Sequence, residues 1–78
     1  MKERELANRL EPVRRQGYFN AYLRSLNGFK EASLRGDDFH REHYTRMAHR
    51  FGEKAGRDAA EIAQALDGKI QYVDDADP

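Results

Sequence analysis

The chain has 78 residues and no cysteine, and its 14 basic and 14 acidic residues give a formal net charge of zero. A chain this short makes one domain that buries roughly 60% of its unfolded surface, and without cysteine it has no disulfide, no thiolate nucleophile and no sulfur-ligated zinc site. No stretch reaches the apolar run of a signal peptide or the ~18 to 20 apolar residues of a membrane span, so a cytoplasmic protein with no membrane partner is expected.

Leu, Ile, Val and Phe together number 14 of the 78 residues, and ten more are Ala. Large apolar side chains are therefore scarce, while the balanced charge argues against a disordered chain. A marginal monomer, or a homodimer that shares its core, follows. The charge is uneven along the chain: residues 1–36 carry eight Lys or Arg against four acids, and residues 37–78 carry six against ten. Such asymmetry suits head-to-tail association, although solvated faces of amphipathic helices produce it too.

Taken in order, residues 2–10 pair Leu6 with Leu10 four apart amid alternating charge, as in an exposed helix with one thin apolar seam. Pro12 then either begins a second helix or kinks the first, and Gly17 leaves the same choice open. From Tyr18 the pattern sharpens: Phe19, Tyr22, Leu23 and Leu26 share a face, and Asn27–Gly28 predicts a stop. Residues 29–35 read as a short helix ended by Gly36, with Phe29 and Leu34 facing in.

Residues 37–66 carry the densest helical spacing. Phe39, His43, Met47 and Phe51 recur at four residues, and Ala59, Ile62, Ala63 and Leu66 at three and four. A strict four-residue lane drifts about 40° per step, so a single straight helix would bury the two halves on different faces. Gly52 and Gly56 make a break the cheaper solution. The pattern predicts helices over 38–51 and 57–67, with Asp37 or Asp38 capping the first, Asp58 starting the second, and Arg46 and Arg50 toward the first helix's negative end. The aromatics between Tyr18 and Phe29 are expected to pack against Phe39, Met47 and Phe51.

Asp67–Gly68 is a turn signal, and residues 69–73 (KIQYV) are β-branched and aromatic enough for a strand. A lone strand packs as an extended arm on its own helices, joins a strand of a second subunit, or docks on a partner's sheet edge. Residues 74–78 (DDADP) read as a disordered acidic tail. The expected fold is all-α: one helical domain over residues 1–73, a small bundle of four to five short helices with an extended C-terminal arm.

For chemistry, His40, His43 and His49 lie in one helix near Asp37, Asp38, Glu42 and Glu53. A transition-metal site needs at least three convergent ligands, whereas only His40 and His43 share a turn and no second ligand motif occurs. No metal and no cofactor are expected. His43 with Glu42 could serve acid–base catalysis only inside a pocket that so small a core does not enclose, and no nucleophile elbow or phosphate loop occurs. The reading is therefore not an enzyme.

A helix, glycine and helix over residues 45–66 invite a DNA-binding helix-turn-helix reading, with Arg46, Arg50, Lys54 and Arg57 on phosphates. With Ala48 and Gly52 at the motif's buried alanine and turn glycine, however, its next apolar positions fall on Asp58 and Glu61. A small regulatory, adaptor or inhibitor protein acting by protein–protein interaction, as a monomer or as a homodimer, is the leading expectation. Tyr18, Tyr22, Tyr44, Arg46 and Arg50 are its candidate contact residues, because Tyr and Arg are favoured at binding hot spots.

Overall fold

The computed structural model describes residues 2–72, and side chains over residues 13–72. The described chain is all-helical and has three helices: α1 (Lys2–Arg35), α2 (Asp38–Lys54) and α3 (Ala59–Leu66). The all-α class holds, but three helices replace the expected four to five. None is long and apolar enough to cross a membrane among the described residues. The acidic tail and Val73 lie outside them.

The helix count falls because α1 runs through Pro12, Gly17 and Gly28 without a stop. Taken alone those residues oppose it, at about 3 kcal/mol for an interior Pro and about 1 for each Gly. Packing supplies the reason at Gly28. A Cβ there would lie 2.5 Å from Cε1 and Cζ of Tyr44 on α2, so only glycine lets that ring lie against α1. Gly52, placed by the sequence in a break, is likewise buried inside α2 because Ile62 and Tyr22 occupy the space a side chain would need.

The remaining helix ends follow local chemistry. Gly36, Gly56 and Gly68 take positive φ (71°, 87° and 78°), a left-handed conformation that closes a helix and strains any residue with a Cβ. Asp37 accepts from the backbone N–H of His40 at 3.1 Å and caps α2, and Asp58 accepts from that of Glu61 at 2.7 Å and caps α3.

α2 folds back antiparallel to α1 across the turn at Gly36–Asp37. Phe29 lies under Arg41, Gly28 against Tyr44, Tyr22 against Gly52, and Tyr18 against Phe51 and Lys54. The seam between the two helices is built from small residues: Ser25 and Ala32 on α1, Ala48 and Gly52 on α2, and Ala55 at its C-terminal cap are all buried. Small residues bring two helix backbones close, so a chain poor in large apolar groups still closes a core. Tyr22 and Ile62 are its largest fully buried side chains, flanked by Phe19, Leu23, Leu26, Phe51 and Leu66.

Three expectations about facing are overturned. Phe39 is 74% exposed and His43 is exposed, while Met47 and Phe51 further along that lane are half-buried. The 40° drift carries the lane from water into the core, and the inward stripe is half-buried Tyr44 followed by buried Ala48, Gly52 and Ala55. Leu34 is 81% exposed, since Ala32 takes the inward position. On α3, Ile62, Ala65 and Leu66 face in, whereas Ala59 and Ala63 are exposed.

The strand reading of residues 69–73 gives way to an arm. Residues 69–72 form no strand and pack on the chain's own helices, with Ile70 and Tyr72 against the core.

Candidate interaction surface

The arm is held by a polar cluster that the sequence reading missed. The Tyr72 hydroxyl donates to Glu61 Oε2 at 2.5 Å and lies 2.8 Å from the Tyr22 hydroxyl, which is thereby left to donate to Tyr72. The Tyr72 ring meets Phe19 and Tyr22 edge-on, each at 5.5 Å between centroids. Arg57 completes the cluster: its guanidinium lies 4.7 Å from the Phe19 ring centre and 5.8 Å from that of Tyr72, and Nη1 is 3.5 Å from Glu61 Oε2. Its Nε is buried and has no hydrogen-bond partner. The available sign in the sequence was the Arg57–Glu61 spacing of four at the start of α3, which places opposite charges on one face.

Burial pushes the Tyr22 phenol above the ordinary tyrosine range, and burial followed by the hydrogen bond to Glu61 pushes Tyr72 well above it. A phenol whose pKa is raised in the fold contributes stability fully below its unfolded pKa of about 10, and loses it as pH climbs through the folded value. Thermal melts should therefore hold steady from neutrality to about pH 9 and fall above about pH 10. Tyr72→Phe should flatten that fall, as measured by circular dichroism.

The exposed side of α2 is a stripe of Phe39, His43, Arg46 and Arg50, spaced four, three and four residues apart. Near its start the rings run together. Phe39 meets His40 edge-on at 5.4 Å, His40 lies 6.5 Å from Tyr44, and His43 meets Tyr44 at 5.4 Å. His40 Nδ1 is also 2.5 Å from Asp37 Oδ2. The two hydrogen bonds from His40, backbone first, hold the Asp37 carboxyl below its usual range. The cap therefore contributes above the ordinary aspartate pKa and is lost only as the pH falls into the acid range.

No family model, curated protein or solved structure matches this chain.

Of the candidate contact residues, Arg46 and Arg50 are exposed on the α2 stripe. Tyr44 is half-buried over Gly28, and Tyr18 is half-buried, stacked on Phe51 at 6.4 Å under the Lys54 ammonium. Tyr22 is fully buried and so offers no outer surface, which corrects its place among the candidate contact residues. The five residues do not form one patch. Phe39 and Leu34, exposed on either side of the α1–α2 turn, were read as core and so were passed over. Among the described residues no group of three or more His, Asp or Glu is placed to hold a metal ion. A half-open groove of about 740 Å³ runs between α1, α3 and the arm, with Leu23, Leu26, Leu66 and Ile70 among its lining residues.

Proposed function

We propose that this protein is a non-enzymatic regulatory or adaptor protein that acts by binding another protein, and that the α1–α2 corner with the exposed stripe of α2 is its contact surface. The observation that carries this reading is Phe39. A phenylalanine 74% exposed, in ring contact with His40 and followed along the helix by Arg46 and Arg50, combines the aromatic anchor and the arginines that dominate binding hot spots. Covering such a ring gains about 1.5 to 3 kcal/mol that the fold alone leaves unused.

The alternative reading, a dimeric helix-turn-helix-like DNA-binding regulator, draws less support. Of its four cations, Arg57 is engaged with Phe19, Tyr72 and Glu61, and Lys54 lies over Tyr18. Asp58 caps α3 where that motif wants an apolar residue.

Pull-downs from the source cell with the unaltered chain, Phe39→Ser and the Arg46→Ala/Arg50→Ala pair test the proposal. One protein enriched by the unaltered chain should be lost from both variants while their melting temperatures stay unchanged. Equal capture by all three rejects the surface. Salt-sensitive binding to duplex DNA, abolished by the arginine pair, would favour the alternative instead.

A further inference from the structure

We infer that the exposed stripe of α2 takes an acidic amphipathic helix of its partner, one that sets an apolar side chain on Phe39 and carboxylates on Arg46 and Arg50. This deepens the interaction reading above and rests on it. At about 100° per residue, Phe39, Arg46 and Arg50 fall within about 40° of arc, and buried Ala48 lies on the opposite side of α2. All three are exposed. Arg35, Arg41 and Arg57 each have a carboxylate, on Asp37, Asp38 and Glu61 at 3.8, 3.4 and 3.5 Å. Among the described residues, Arg46 and Arg50 make no ion pair and no ring contact. Two like charges four residues apart on one helix face repel, and carboxylates placed over them relieve that repulsion. The fold supplies no such group there, so the partner does.

Spacing and charge pattern select a helix over a strand and over a nucleic acid. Along the axis of α2, Arg46 stands about 10 Å beyond Phe39, and Arg50 about 6 Å further. A helix laid alongside meets both steps with residues seven and eleven positions from its apolar anchor. An extended chain repeats a face every ~7 Å and misses the first step. Among the described residues there is also no strand whose edge an extended segment could join. Glu42 and Glu53, both exposed, stand about 40 to 60° to one side of the line through Phe39. A phosphate backbone, charged at every nucleotide, would run past those carboxylates and be repelled, whereas a helix with basic side chains on that flank pairs with them.

The probe is a synthetic helical peptide with one Leu and, seven and eleven residues to either side of it, Glu, so that it presents the pattern in both directions. Titrated into the isotope-labelled chain at low ionic strength, it should bind at least tenfold more tightly than the same peptide with Gln at those positions. Binding should shift the α2 amides between Phe39 and Arg50, and the difference between the peptides should shrink as salt rises past ~0.15 M. Arg46→Glu/Arg50→Glu should lose the Glu peptide and bind its Lys counterpart at least tenfold more tightly than the unaltered chain does. Arg46→Gln/Arg50→Gln, which adds no repulsion with Glu42 and Glu53, should lose the Glu peptide with an unchanged melting temperature. Equal affinity for the Glu and Gln peptides, no binding of the Glu peptide up to ~1 mM, or no gain of the Lys peptide by the Glu pair overturns the inference, as does tighter binding of duplex DNA by the same arginines. Loss of a captured protein from Phe39→Ser but not from Arg46→Gln/Arg50→Gln would leave the adaptor reading intact and reject only the acidic helix as occupant.

Discussion

Tyr22→Ala is expected to cost about 3 to 5 kcal/mol, the range for removing a buried aromatic side chain. Domains of this size hold about 5 to 15 kcal/mol in all, so the variant should be close to unfolded at body temperature. The reason lies in position rather than in residue type. Tyr22 is fully buried, its ring lies against Gly52 and edge-on to Tyr72, and its hydroxyl closes the hydrogen-bonded chain to Tyr72 and Glu61. Truncation opens a cavity where all three helices and the arm meet. Tyr22→Phe separates the contributions: it keeps the ring and removes one hydrogen bond, and should cost only about 1 kcal/mol. Urea denaturation followed by circular dichroism reads both, and equal losses would show that the hydroxyl, not the packing, carries the site. Any loss of binding in Tyr22→Ala would then report unfolding, not a missing contact.

Gly52→Ala should destabilise the protein by about 2 kcal/mol, against the gain of about 1 that alanine brings to an exposed helix interior. The added Cβ would stand 2.7 Å from Ile62 Cδ1, 2.9 Å from its Cγ1 and 3.1 Å from Tyr22 Cδ1. Ile62 and Tyr22 are both fully buried, so neither has room to withdraw. Gly17→Ala gives the opposite sign. Nothing lies within 4 Å of that Cβ, and the substitution should stabilise by up to about 1 kcal/mol through helix propensity alone. Paired denaturation midpoints of the two variants check this, and the same sign for both would mean that α1 and α2 are not packed as described.

These two glycines also show where sequence reasoning stopped on the candidate surface. Phe39 and Leu34 were assigned to the core because large apolar residues at helical spacing are usually buried, and the small residues that in fact line the seam carry no such signal. Arg46 was legible as exposed, since no apolar neighbour at three or four residues draws it inward, and Arg50, four residues on, lies on the same side of the helix. The role of Tyr72 was not legible at all, because its partners Tyr22 and Glu61 are 50 and 11 residues away.

By itself the sequence determined the all-helical class, a cap at Asp37 or Asp38, the start of α3 at Asp58, the stop at Gly36 and the turn at Gly68. Each of those depends on a side chain or a φ angle acting within one turn of its own backbone. Tertiary structure alone decided that helix continues through Gly28 and Gly52, that α2 turns Phe39 outward, and that the arm folds onto Tyr22. At both glycines the deciding atoms belong to another helix: Gly28 and Gly52 stay helical where the Tyr44 ring and the Ile62 side chain occupy the space a Cβ would need.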